Sequence, residues 1–358
     1  MQRSNTFFIG TYTEELYASK ETKSEGIYAL TLERESGKVE SLVLAATMEN
    51  PSYLTYHKTQ KILYAVSEQL VGEVYAYQIK DNETLKYKEQ IRTEGANPCH
   101  LAINPTGENL LVSNYSGGNL ALIALEEAGD FAGNPYIRTH VGGSCNPFRQ
   151  EGPHPHMALF TPDGTHACVA DLGMNAIVLY RTVENKLTPM DMVHAAPGAG
   201  PRHLAWGEAN QTLYCLNELN GTIDAYAYQK EMAALSHLAT TRVIAEEETA
   251  NTTMAAVRIS QNGKYLYCTS RGLDQIHVFQ IKGEGKLCRV QDISSGGKTP
   301  RDLWLTQDGA WALAANQESD TVSVFSIAQE TGRLSLKQKI DVPAPTCILE
   351  WEEVPYGV

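Results

Sequence analysis

The 358-residue chain is 42% hydrophobic and 20% charged, and its formal net charge is −13. Such a composition belongs to a globular chain with a sizeable core, and the acidic balance argues against nucleic acid or an anionic membrane as the main partner. No run of about 18 apolar residues offers a membrane span, the N-terminal MQRSNTFFIGTY lacks a stretch apolar enough for a signal peptide, and seven cysteines without CxxC spacing point to reduced thiols in a cytoplasmic protein, with no disulfide frame and no metal site expected.

In chain order, residues 7–12 come first and resemble a second strand of a repeat, with residues 26–30 as a third. Six fuller units follow. NPSYLTYHKTQKILYAVSE begins at Asn50, NPCHLAINPTGENLLVSNY at Asn97 and HPHMALFTPDGTHACVADL at His154. GPRHLAWGEANQTLYCLNE begins at Gly200, TMAAVRISQNGKYLYCTSR at Thr253 and TPRDLWLTQDGAWALAANQ at Thr299. Aligned on Pro51, Pro98, Pro155, Pro201, Met254 and Pro300, they recur at intervals of 47, 57, 46, 53 and 46 residues.

Each unit starts with a short alternating strand. A tight turn follows in four of them at Thr106-Gly107, Asp163-Gly164, Asn262-Gly263 and Asp308-Gly309, dipeptides suited to the positive φ of hairpins. A second strand (residues 265–268), a third (275–279) and a weaker fourth come next. No segment keeps helical periodicity over three turns. Four antiparallel strands at this period predict a propeller blade. A solenoid fits less well, because capped ends are missing and the termini are complementary. Residues 344–349 read as a stray first strand, which the N-terminal unit lacks. Joining them removes the open sheet edges. The expectation is an all-β, seven-bladed β-propeller with four antiparallel strands per blade. A composite blade from the N- and C-termini closes the ring, and residues 1–358 form a single domain.

In that fold the first strand lines the channel and the second returns to the same rim. One residue after the anchor stand Ser52, Cys99, His156, Arg202, Ala255, Arg301 and Thr346. Seventeen after it stand Glu68, Tyr115, Leu172, Glu218, Arg271 and Gln317, each preceded by a polar residue that includes Asn114 and Asn217. One rim is thus expected to gather arginines, a histidine, glutamates and amides. Asn, Asp and Ser at strand ends also serve turns by bonding the backbone. Strand alternation turns His203 away from the channel, toward packing or support.

GAGPRH at 198–203, LNELN at 216–220, HPHMALFTPDG at 154–164 and SRG at 270–272 resemble the lactonase-type seven-bladed propellers. These are the bacterial propeller-type 6-phosphogluconolactonases and their relatives, the fungal carboxymuconate lactonising enzymes. The resemblance covers nearly the whole chain. It implies a catalytic group of one His, two Arg and one Glu, which falls on His156, Arg202, Glu218 and Arg271, with His154 as the alternative histidine. Arg149 and Gln150 in NPFRQEGPHPH enter the same rim. With His154, Arg301, Glu68, Asn114 and Asn217 they make the candidate substrate contacts.

The implied activity is hydrolysis of a sugar lactone, 6-phospho-D-glucono-1,5-lactone to 6-phosphogluconate, without a cofactor. A histidine near its ordinary pKa of about 6.5 suits the general base, and arginines suit the oxyanion and the anionic tail. Glu218 among arginines is expected to stay ionised and to orient its neighbours. Two other readings are a muconate-type cycloisomerase and a non-catalytic propeller that binds an anionic metabolite or a protein on this rim.

Overall fold

The computed structural model describes residues 4–81, 83–207 and 211–352. Within them the strands form seven four-stranded antiparallel sheets. Their innermost strands neighbour one another in a closed cycle, so the sheets are the blades of a seven-bladed propeller around a central channel. The ring closes as the sequence predicts. Strand Pro345–Trp351 is the inner strand of the blade whose other three strands are Ser4–Thr11, Gly26–Glu33 and Val39–Thr47. A short helix, Glu15–Ala18, is inserted after the first of these.

The hydrophobic core sits between blades. One cluster joins Met157, Cys168 and Leu179 of one sheet to Leu204, Cys215 and Tyr226 of the next. The second strand of each blade is packed on both faces, as in Thr212–Asn217, where every residue is buried. This is why these strands read as continuous apolar runs rather than as clean alternation. The fourth strands, such as Lys186–His194, alternate toward solvent, which explains their weaker sequence signal.

The inner hairpins follow one rule. Gly164, Gly263 and Gly309 take positive φ (70°, 67° and 70°) and donate to the carbonyl three residues back. The preceding Asp or Asn keeps an ordinary φ and caps the turn instead. Asp163 Oδ1, for example, accepts from the Thr161 hydroxyl (2.6 Å) and from the Thr165 N–H (3.0 Å).

Candidate active site

At the rim end the same construction recurs around the ring. The residue before the anchor is held in the left-handed region: Asn50, Asn97, Gly200, Thr299 and Ala344 all have positive φ. Its carbonyl accepts the N–H of the residue that follows the second strand. These bonds run from Glu68 to Asn50 (3.1 Å), Tyr115 to Asn97 (2.9 Å), Glu218 to Gly200 (2.7 Å), Gln317 to Thr299 (3.0 Å) and Tyr12 to Ala344 (3.0 Å). In GAGPRH the glycine is required twice over. Its φ is 70°, and a Cβ there would lie 2.7 Å from Cγ of Leu219. This clamp sets the Arg202 and Glu218 columns side by side.

A β-bulge then alters the first column. Pairing steps from Pro201 opposite Asn217 to His203 opposite Leu216, which leaves Arg202 as the extra residue. Matching shifts occur after Pro98, Pro155 and Pro300. In two of these bulged blades a pair of neighbours then faces the throat, Arg202–His203 and Arg301–Asp302, while Cys99 and His156 line it singly. The expectation that alternation turns His203 outward is therefore wrong. Its ring stands edge-on to His156 at 5.5 Å and is 3% exposed. The throat beneath the rim encloses about 10 Å³, room for about one water, so a sugar ring belongs at the rim above it. A larger groove of about 520 Å³ lies on the outer flank between strands Phe131–Thr139 and Lys186–His194 and includes none of the rim residues.

Glu218, 3% exposed, is the hub of one half of the rim. Its Oε1 lies 2.6 Å from Arg149, and its Oε2 lies 2.9 Å from Nε of Arg202 and 3.2 Å from Arg271. Burial would raise the Glu218 carboxyl, but Arg271, Arg202 and Arg149 outweigh it and hold the pKa at about 2. The glutamate is thus ionised, as expected, and its oxygens are committed to arginines. Arg202 is 2% exposed and also donates to the Ala255 carbonyl. Burial, then Arg271, lower its pKa to about 9, which leaves it charged at neutral pH. Its Nε–H is near Glu218 but not aimed at it; this N–H and that of Arg271 lack a hydrogen-bond acceptor among the described residues. Arg149 and Arg271 reach solvent more freely, with side chains 39% and 17% exposed.

His156 lies beside this group, against Tyr115 and His203, and its Nδ1 has no hydrogen-bond partner among the described residues. Burial first, then Arg202, Arg301 and Arg271, push its pKa well below 6.5. The expectation of an ordinary histidine pKa fails for that reason: the imidazole is neutral throughout the neutral range. His154 stacks on Tyr115 (4.6 Å between ring centres) and bonds Glu151.

The other half of the rim is wired differently. Arg301 donates to the Tyr12 hydroxyl (2.7 Å) and to Gln317 (3.3 Å), and Tyr12 donates to Glu68 (3.0 Å). Tyr12 was not among the expected site residues. The signal for it was the composite blade: Thr11 pairs with Pro345 as Asn217 pairs with Pro201, so Tyr12 occupies the Glu218 column.

Three expected contacts belong to the scaffold instead. Gln150 is 1% exposed and bonds the Leu172 carbonyl and Asn175. Asn114 is fully buried and donates to the Thr93 carbonyl and Asn119. Asn217, also buried, holds Thr222 and Asp224. Gln150 and Asn114 satisfy backbone carbonyls, and Asn217 ties neighbouring polar side chains together. Among the described residues, no group of three or more His, Cys, Asp and Glu side chains is arranged to hold a metal ion, and no helix is long and apolar enough to cross a membrane.

The sequence matches the family described as Lactonase, 7-bladed beta-propeller, over residues 6–350. It is 31% identical over 345 residues to a 6-phosphogluconolactonase of Bacillus subtilis (strain 168), covering 95% of this chain and 97% of that one. It is 28% identical over 339 residues to a 6-phosphogluconolactonase of Formosa agariphila, covering 91% and 94%. Among solved structures, the periplasmic gluconolactonase PpgL of Pseudomonas aeruginosa superposes with a TM-score of 0.89 at 26% identity, over 98% of this chain and all of that one.

Proposed function

The chain belongs to the lactonase family of seven-bladed β-propellers, and from that membership we propose that it hydrolyses a sugar lactone with an anionic tail: 6-phospho-D-glucono-1,5-lactone, giving 6-phosphogluconate. One observation carries the anionic preference. In a chain of net charge −13, four arginines converge on the rim against two glutamates. That local positive excess favours an anion entering from solvent.

In this reading water adds to the lactone carbonyl, charge gathers on the carbonyl oxygen, and the ring oxygen leaves. Arg271 and Arg149, whose side chains reach solvent, are the donors for the oxyanion. Arg202 is too deep to reach substrate and braces Glu218 from below. His156, neutral and lining the throat that has room for about one water, takes a proton from the attacking water. Negative charge arriving with the substrate raises its basicity as the bond forms. That proton then passes to the departing ring oxygen, which becomes the product hydroxyl. Glu218 stays ionised throughout and keeps the arginines in place. The cycloisomerase alternative needs an acid that protonates carbon, a role for which Glu218, held at about 2, is unsuited. The reading also places the protein in the cytoplasm, unlike the periplasmic Pseudomonas relative.

The test is hydrolysis in excess of the spontaneous rate, on phosphorylated and plain gluconolactones. Wild type is expected to exceed it clearly. His156→Ala is expected to lower kcat about 100-fold or more, and Arg271→Ala about 100-fold. A wild-type rate equal to the spontaneous one on both lactones overturns the function. Acceleration untouched by either substitution overturns the site.

A further inference from the structure

Arg301 stands apart from the other rim arginines. Arg149, Arg202 and Arg271 all touch the Glu218 carboxylate. Arg301 has no carboxylate in ion-pair contact among the described residues, although Glu68 is close by. The Tyr12 hydroxyl stands between them, accepting from Arg301 at 2.7 Å and donating to Glu68 at 3.0 Å. The guanidinium also lies 5.0 Å over the Tyr12 ring, and Gln317 takes one of its other donors. Tyr12 is 2% exposed and packs at a tilt against Tyr17 of the inserted helix, 5.7 Å between ring centres, so it cannot swing away without disturbing that packing.

A hydroxyl between an arginine and a glutamate has a chemical consequence. A direct ion pair would spend the fork of the guanidinium on Glu68. Tyr12 satisfies the buried carboxylate and fixes the guanidinium, yet leaves much of its charge unmatched. Planar, pre-aimed guanidinium donors suit a bidentate oxyanion such as a phosphate monoester.

We propose that Arg301 is the receptor for the phosphoryl tail of the substrate, and that Tyr12 is the positioning residue that separates it from Glu68 and aims it. The lactone carbonyl then lies toward Arg271 and His156, and the tail toward Arg301. This assignment rests on the lactonase reading for the placement of the carbonyl. The anion site itself rests on the side chains alone.

The experiment compares wild type with Tyr12→Phe, Arg301→Met and Tyr17→Phe. Tyr17→Phe loses the bond from Asn97 and leaves the Tyr12 hydroxyl intact. Two quantities are read: the ratio of kcat/KM for phosphorylated over plain gluconolactone, and calorimetric binding of 6-phosphogluconate and inorganic phosphate. Tyr12→Phe is expected to reduce the ratio about ten-fold, with the loss in KM, and Arg301→Met more than that. Both are expected to weaken anion binding in parallel, and Tyr17→Phe is expected to keep ratio and binding.

Unchanged ratio and binding in Tyr12→Phe and Arg301→Met overturn the proposal, as does an equal loss in Tyr17→Phe. A wild type that hydrolyses both lactones without preference also overturns it and leaves the lactonase reading standing. A wild type that hydrolyses neither, yet binds phosphate in a Tyr12-dependent way, removes the lactonase reading and supports the anion site.

Discussion

The two halves of the rim are built from the same parts. Each takes an arginine from the inner strand and a glutamate from the end of a second strand, delivered by the same backbone clamp. In one half three arginines touch Glu218 directly, and its pKa is held at about 2. In the other, Tyr12 stands between Arg301 and Glu68, and burial lifts Glu68 above the ordinary carboxylate range against the pull of Arg301. Column membership alone thus does not set what a charged residue does. Direct contact turns a glutamate into a fixed anchor, whereas a single hydroxyl between the same two groups keeps the arginine available.

Removing one glutamate from each half separates these roles. Glu218→Ala leaves the buried Arg202 facing the partly exposed Arg271 and Arg149 without their shared carboxylate, and we expect a stability loss of about 3 kcal/mol in urea unfolding, together with loss of lactone turnover. A loss below about 1 kcal/mol would mean that solvent already screens the cluster.

The next effect is on acid stability, and it tests which groups around the throat yield first. His100, His156 and His203 have depressed pKa values, His100 at about 3, because of burial first and arginine charge second. Below pH 6.5 the unfolded chain therefore binds protons that the folded chain refuses. Stability is full above pH 6.5 and falls as the pH drops toward the folded-state values, by about 1.4 kcal/mol per pH unit for each histidine. Glu218, held at about 2 against 4.5 for an ordinary glutamate, adds to the decline only at the acid end of this window, below about pH 5. Unfolding curves from pH 7 to 4 should show the decline, and His203→Phe should make it shallower. A flat profile would contradict the burial of the three rings.

The smallest effect is the most discriminating. Glu68→Gln removes a carboxylate that Tyr12 already separates from Arg301, so phosphate binding should tighten a few-fold, as expected for losing one nearby like charge. Weaker binding would show that Glu68 supports the anion site rather than merely lying behind it.

The repeat period, the Asp-Gly and Asn-Gly turns and the complementary termini made the propeller and its closure readable from sequence. The pairing of Arg202 with Glu218 was readable as well, because a 16-residue spacing across one hairpin fixes which strand ends meet. What alternation could not show was the bulge. One extra residue after Pro201 brings both Arg202 and His203 to the throat, and no residue type marks it. Asn114 and Asn217 looked like Glu218's companions, but their polarity serves buried strand ends. Tyr12 escaped notice because its column partner Ala344 lies at the other end of the chain.

That last arrangement ties chemistry to mechanics. Tyr12, near the beginning of the sequence, hangs by its N–H from Ala344, near its end, and its side chain grips Arg301 of the neighbouring blade. The fastening that shuts the ring and the grip on the anion are therefore the same few atoms. An anion drawn to Arg301 acts as a rivet across the seam: it should slow separation of the terminal strands and raise the force or heat needed to unzip the propeller there.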